Sequence, residues 1–584
     1  MSGVAWMLPI PVLLPLLGAG LTLVVGRRPR LQQLIALAVL SATTAVAAVL
    51  AVAANAGPVV LDVGSWSAPI GVTLVADRLA ALMLVVSQIV TLAVLVYSLA
   101  QNLADDHPGA PISVYFPTFL ILSAGVSDAF LTGDLFNLYV GFEILLAASF
   151  VLITLGGTHG RVRAGSVYVV VSLVSSAIFL GGIGLVYAAT GTVNMAQLAE
   201  RLPEIDPGVA LMIHVVLLVA FGIKAAIVPL QAWLPDSYPT APAPVTAVFA
   251  GLMTKVGVYA LIRLEVLLFP GGQLDGVLAV VGLATMIIGI LGAVAQDDIK
   301  RLLSFTLVSH IAFMVWGLSL SSEWGLAGAI YYAAHHIIVQ TTLFLIAGLI
   351  ERRTGTTSLS RLSGLAKSAP AIAIMFFVAG INLVGAPPLT GFVGKLGLAR
   401  ASVQAATPMA WMLLAGGLAT SFLTLYVFVK WWHQAFWQTS GEASPVLMDP
   451  VTAPGASDRA RAAARRQVDR ASRALGPVAA RSERAAQASR TRAEQKAPGT
   501  SRLMTASVAV LVGVQIAMAV FSGPIWDYVS RSAADLMART PYVSSVLSDN
   551  GRGQGESDVH SGTGTDTGTG SEVDGGTGTD GGGH

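Results

Sequence analysis

Between residues 4 and 526 the chain carries about fourteen runs of some twenty mostly apolar residues, and this repetition leaves it few ways to fold. A helix needs about 20 such residues to cross a bilayer. The runs lie near 4–26, 31–56, 77–100, 113–132, 134–156, 165–190, 209–230, 243–268, 275–295, 301–320, 324–350, 369–403, 409–436 and 504–526. Charged residues make up only 11% of the chain, against about 25% in a soluble domain. The pattern predicts an all-α polytopic membrane protein whose surface meets the lipid bilayer. The opening "MSGVAWMLPIPVLLPLLGAG" has no basic leader and reads as a retained first helix rather than a cleaved signal. There is no cysteine, which excludes disulfides, iron–sulfur clusters and thiolate metal sites. No cofactor, metal or nucleic-acid partner is expected.

Two runs contain their own interruption. Run 369–403 is too long for one simple span and holds Pro387 and Pro388 in its middle, and the seventh run ends on Pro229. Proline cannot donate a backbone hydrogen bond and clashes with the preceding turn, so helices 7 and 12 are expected to be broken into half-helices. They are five spans apart, which fits two inverted five-helix repeats, helices 4–8 (113–268) and helices 9–13 (275–436). Helices 1–3 (1–112) precede them. An Ala/Arg-rich basic segment (437–502), helix 14 (503–526) and a tail (527–584) follow.

Basic residues sort by loop. Arg27, Arg28 and Arg30 follow the first run, Arg161 and Arg163 the fifth, Lys300 and Arg301 begin the tenth, and Arg352, Arg353, Arg361 and Lys367 precede the twelfth. Basic loops face the cytoplasm, so both termini are expected on the outer side. The loop "QNLADDHPGAP" has no basic residue on the inner side, so the assignment rests on the sum. The basic segment reads as a solvated cytoplasmic insertion or as a surface helix along anionic headgroups. The acidic, low-complexity tail from about 549 is expected to be disordered.

The polar residues inside the runs point to function. Glu143, Lys224, Lys255, His310, His335, His336 and Lys395 all fall within apolar stretches. Ionisable residues inside a membrane usually face the bundle interior, pair with one another and mark ion or proton paths. Each also has a plain structural reading. Glu143 and Lys224 could be a buried ion pair, and Lys395 could snorkel to an interface. His310 could bond a backbone carbonyl, and one of His335 and His336 could simply pack. His214, Asp297 and Asp298 are assigned structural roles. Taken together the set suggests more, because burial and a neighbouring carboxylate act on a lysine's proton affinity in opposite senses. A row of such sites, each switched by its neighbour's charge, can hand protons along a bundle. A charge crossing 100 mV is worth about 2.3 kcal/mol, comparable to roughly two pH units.

"GFEILLAASFVLI", "GIKAAIVPLQAWLPDSYPTAPAPVTAVFAGLMTKVGVYALIR", "DDIKRLLSFTLVSHIAFM" and "NLVGAPPLTGFVGKLGLARAS" resemble the antiporter-like proton-translocating subunits shared by respiratory complex I, membrane hydrogenases and Mrp-type cation/proton antiporters. The resemblance covers about 75–436, and within that group the chain is most similar to the D-type subunits of Mrp Na+/H+ antiporters. It implies an inverted-repeat bundle in a bacterial plasma membrane with a central polar axis, acting as part of a secondary transporter rather than as an enzyme. Glu143 would match the fifth-helix glutamate, Lys224 the lysine of broken helix 7, Lys255 that of helix 8, and Lys395 that of broken helix 12. His335 or His336 would match the polar position of helix 11. The chain departs from a common pattern at Gln340, where many relatives carry lysine, which puts the path past helix 11 in doubt. The implied partners are other antiporter subunits, including a larger A-type and a small C-type subunit, with H+ and Na+ as the transported ions. No acidic cluster resembles a complete sodium cage, so protons are expected here and sodium in a partner chain. A proton-pumping subunit of complex I or of a hydrogenase is the sibling alternative. A stand-alone solute transporter or a structural scaffold is the alternative of a different class.

Overall fold

The computed structural model of the chain describes residues 3–26, 28–101, 112–438 and 501–548. Arg27, residues 102–111, nearly all of the basic segment and the tail from 549 lie outside the described residues.

In hydrocarbon no water satisfies the backbone, so a crossing segment must bond its own amides and carbonyls, as a helix does. Among the described residues, thirteen helices are long and apolar enough to cross a membrane, and a shorter apolar helix accompanies them. In order they are α1 (Ile10–Val24), α2 (Pro29–Ala54), α3 (Arg78–Gln101), α4 (Ile112–Leu131), α5 (Leu135–Thr154) and α6 (His159–Thr190). Then come α7 (Pro207–Ala225), α8 (Ala243–Leu268), α9 (Asp275–Val294), α10 (Ile299–Leu318) and α11 (Glu323–Thr354). The expected break in the twelfth run is present: α12 (Pro370–Val384) stops at Gly385 and α13 (Thr390–Ala405) resumes five residues later. α14 (Pro408–Trp431) and α15 (Arg502–Val520) complete the crossings.

Three boundaries differ from the sequence expectation. The last run is not one span: α15 stops at Val520, and Trp526 belongs to a second, amphipathic helix α16 (Ser522–Ala538), followed by α17 (Thr540–Ser548). α6 starts at His159, so Arg161 and Arg163 sit in its first two turns, and the Thr158 hydroxyl accepts from the Arg161 amide. The segment between the second and third runs, not assigned a structure from the sequence, forms a hairpin. Val59–Asp62 (β1) and Thr73–Ala76 (β2) pair antiparallel, with Val59 opposite Ala76. A two-stranded hairpin is marginal alone, and here the Gly133 amide ties it to the bundle through the Thr73 carbonyl (2.8 Å).

The core is layered by exposure to lipid. α11 is the central post: its whole apolar stretch is buried, and α3, α8, α10, α12, α13, α15 and α16 surround it. α1, α2 and α15 are peripheral, with only a third of their apolar windows buried, and they turn residues such as Leu17, Leu21, Leu34 and Val510 outward. Lipid tails are as apolar as leucine, so helices associate through close packing, which small residues permit. Gly257 of α8 shows the requirement: a Cβ there would stand 2.6 Å from the Ala225 amide nitrogen at the end of α7.

Candidate functional site

Both interrupted runs put a lysine beside a helix C-terminus, that of the span-length α7 in the first and that of the short α12 in the second. Lys224 lies in the last turn of α7, which ends as Ala226 takes the left-handed conformation (φ 59°). Pro229 follows, and the Val228 amide turns away to the Thr285 hydroxyl of α9 (3.0 Å). The Lys224 ammonium donates to the Ser176 hydroxyl (3.1 Å) and sits 5.3 Å from the centre of the Phe142 ring. Ser176 in turn donates to Glu143 Oε1. Glu143 and Lys224 are therefore brought together, but through a serine rather than as a direct ion pair. Beside them, Phe142, Ser172, Lys224 and Trp233 line a cavity of about 20 Å³ for water centres, room for a single water.

Lys395 repeats the arrangement with different connectivity. It lies on α13 and reaches back to the end of α12, where Gly385 (φ 89°) closes the half-helix. Its ammonium donates to the carbonyls of Val384 (2.7 Å) and Leu383 (3.3 Å) and to the Ser421 hydroxyl (3.0 Å). The ring of Phe313 lies 4.8 Å away. The snorkelling reading fails for Lys395, because these partners are inside the bundle. A helix C-terminus carries about half a negative charge, and an aromatic face adds a cation–π term. Each lysine thus has a helix end, one serine and one phenylalanine to offset its desolvation. Only the first has a carboxylate beyond the serine, since Ser421 donates to its own helix at Gly417.

Between them in sequence lie further buried polar groups. Lys255 is fully buried and donates to the Ala250 carbonyl (2.8 Å), which lies in a π-helical turn, Phe249–Met253. π-turns disturb the usual ladder and occur often at functional positions. His310 does not bond a backbone carbonyl. Its Nδ1 meets the Tyr332 hydroxyl (2.5 Å) and its Nε2 the Thr424 hydroxyl (3.2 Å). His336 stacks on His310 with centroids 5.6 Å apart, and neither of its nitrogens has a hydrogen-bond partner among the described residues. His335 diverges to the other side. Thr390 donates to Asn382, so it accepts from His335 Nδ1 (2.8 Å), and the series continues through Asn382 to Gln515 and on to Thr342. Gln340 is buried and donates to the Leu303 carbonyl (2.8 Å), while its amide oxygen has no described partner.

Several of these residues carried no signal in the sequence. Ser176, Ser421, Thr390 and Gln515 are ordinary polar residues in apolar runs, and only the fold shows what they bridge. Two buried pairs were also missed. Arg263 bonds both oxygens of Asp77 at 2.7 Å, and His214 Nε2 lies 2.8 Å from Glu265 Oε1. Asp298 caps α10 by accepting from the Arg301 amide, and Asp297 accepts from Ser358 and Ser360. Among the described residues no group of three or more His, Asp or Glu side chains is placed to hold a metal ion.

A family model described as NADH:quinone oxidoreductase/Mrp antiporter, transmembrane, matches residues 132–424. The chain is 41% identical over 433 residues to the D-type Na+/H+ antiporter subunit of Alkalihalophilus pseudofirmus, covering 73% of this chain and 86% of that protein. It is 37% identical to the D-type Na+/H+ antiporter subunit of Bacillus subtilis over 432 residues, again 73% and 86% of the two chains. In structure it is similar to a chain of the Mrp complex from Dietzia sp. DQ12-45-1b, with a TM-score of 0.79 and 32% identity, covering 94% of this chain and all of that one.

Proposed function

From the premise that this chain belongs to the NADH:quinone oxidoreductase/Mrp antiporter family, as a D-type Mrp subunit, we propose that it is the part of a Na+/H+ antiporter complex that moves protons. The path runs over Glu143, Lys224, Lys255, His310, His335, His336 and Lys395. The proton on each lysine is held or released according to the charge of the next group along. Sodium crosses in a partner chain, and the complex includes a larger A-type and a small C-type subunit. The basic loops lie in the cytoplasm, and the two half-bundles, each with one broken helix, form an inverted pair.

The observation that carries the reading is the bridge Glu143–Ser176–Lys224 at the end of a broken helix. A hydroxyl that receives from an ammonium and donates to a carboxylate can pass a proton between them without either side chain crossing the gap. The bridge lies beside a cavity with room for water, so the relay can be refilled. At helix 11, Gln340 cannot carry a proton as lysine does, and the stacked His310 and His336 rings take the path past it.

The test is Glu143→Ala and Lys224→Ala in the assembled complex, with sodium-driven pH change followed in everted vesicles. Both variants lose the pH change. Transport that survives both substitutions overturns the reading.

A further inference from the structure

We propose that His214 and Glu265 form a second proton-binding site, off the lysine axis, open to water on the face opposite the basic loops, whose charge sets how the axis responds to pH on that face. This rests on the reading of Lys224 and Lys255 as proton sites.

The pair is built into the fold. His214 on α7 is fully buried, and its Nε2 lies 2.8 Å from Glu265 Oε1 on α8. Phe269 lies flat on the imidazole, centroids 4.4 Å apart and planes 2° from parallel, which fixes the ring. His214 Nδ1 is buried with no partner among the described residues. Glu265 belongs to a second π-helical turn, Arg263–Leu268, and such turns recur at functional positions.

Glu265 also has a route to water. Glu265 lines a cavity of about 350 Å³, far larger than the space beside Lys224, with room for several waters. Val266, Leu318 and Ser322 form the inner wall, while the rim residues Pro270, Gly271, Ser321 and Met537 are exposed. The charged groups near it do not bond it. Arg263, on the same turn, bonds Asp77. Asp275 accepts from Ser321 at the rim, Arg539 in the turn between α16 and α17 donates to the Ala199 carbonyl, and Glu323 opens α11 beside Ser322. Glu265 is thus left with His214 as its described hydrogen-bond partner. The carboxylate meets the imidazole through one oxygen, and the cavity beside it gives a proton a way to the pair.

The position explains what such a site would act on. His214 precedes Lys224 by ten residues on α7, and Glu265 follows Lys255 by ten on the antiparallel α8. Ten residues of helix rise about 15 Å, so the pair forms an outer layer above the two lysines. Leu217, Phe221, Val258 and Leu261 fill the space between and are buried. Among the described residues no hydrogen-bonded chain crosses that apolar layer, so a proton taken up outside is felt at the lysines as charge.

The chain contains no cysteine, which gives a clean test of access. In the assembled complex, Leu318→Cys and Val266→Cys are each treated with a membrane-impermeant maleimide on either side of sealed vesicles, with buried Leu261→Cys as control. Labelling of the two wall cysteines from one side only, with the control unlabelled, is expected. Absence of labelling from both sides overturns the vestibule. Glu265→Gln keeps the shape and a hydrogen bond to His214 but removes the charge. It is expected to displace the pH dependence of antiport on the labelled side by about half a unit or more, with Glu265→Asp returning it toward the parent profile. A Glu265→Gln profile that superimposes on the parent overturns the proposal, even where Glu143→Ala and Lys224→Ala abolish transport. If those two variants transport normally, the proton-path reading fails instead, and the labelling still reports on the cavity.

Discussion

Ser176→Ala is the most informative single perturbation. The hydroxyl receives from Lys224 at 3.1 Å and donates to Glu143, so alanine removes two hydrogen bonds that each involve an ionised group. Such bonds contribute about 1.5–3 kcal/mol each. Lys224 keeps the Ser172 carbonyl at 3.5 Å and the ring of Phe142, which recover part of its loss. Glu143 has no such substitute in its described contacts. The net loss is therefore about one charge-assisted bond, and at 1.4 kcal/mol per factor of ten this is roughly a tenfold to hundredfold fall in relay. Ser421→Ala supplies the internal comparison. It also removes a hydroxyl from a buried lysine, but Lys395 keeps the Val384 and Leu383 carbonyls, and no carboxylate lies beyond. Its expected loss is smaller than that of Ser176→Ala, because the two carbonyls stay on the ammonium. The assay is the initial rate of sodium-driven pH change in everted vesicles, normalised to assembled complex, with Ser176→Thr restoring the hydroxyl. A Ser176→Ala rate like that of the parent, in a complex that Glu143→Ala inactivates, refutes the serine relay.

Other expectations follow from packing and loops. Arg263→Met leaves Asp77 buried without its partner and should cost about 3–5 kcal/mol, read as a lowered melting temperature of the purified complex; adding Asp77→Asn should recover part of it. Gly257→Ala pushes a methyl group against the backbone of Lys224 and Ala225. It should destabilise by about 1–3 kcal/mol and lower transport while leaving every titratable side chain in place. Outside the spans, burial alone would raise the Asp297 carboxyl, but hydrogen bonds from Ser358 and Ser360, with Lys430 nearby, outweigh it and hold it below its usual value. A depressed carboxyl contributes stability that is complete above the unfolded value of about 3.9 and lost as pH falls through the folded one. The Ser360 amide, bonded to Asp297 at 3.1 Å, should therefore exchange faster in Asp297→Asn at pH 7, and show no such local opening in the parent until the solution is more acidic than about pH 4.

The crossings were legible because a bilayer imposes one length on every apolar run, and Pro229 with Pro387 and Pro388 marked the two breaks through simple backbone chemistry. The end of α15 was not legible. "FSGPIWDYV" is apolar enough to extend a span, and only the turn at Phe521 separates the crossing from the amphipathic helix. The lysines stood out because a charge in lipid is costly. Their serine and phenylalanine neighbours did not, because those residues are commonplace in any membrane helix. Arg263 and Glu265 lay near the end of a run, where charges look like boundary residues. Burial of both came from the π-turn and from α16 and α17 folding over them, which no local periodicity announces.

The burial of α11 also bears on how the molecule is made. Helices leave the ribosome in sequence order, yet this one finds its neighbours on both sides of that order. α3, α8 and α10 precede it, while α12, α13, α15 and α16 follow. When α11 enters the membrane, the half of its surface carrying His335 and Thr342 has no protein to meet, because Thr390 and Gln515 are not yet synthesised. Assembly of the bundle must therefore finish from its C-terminal end. A chain released before residue 501 would carry the broken helices and every lysine of the axis, yet leave the flank of its central post open to lipid.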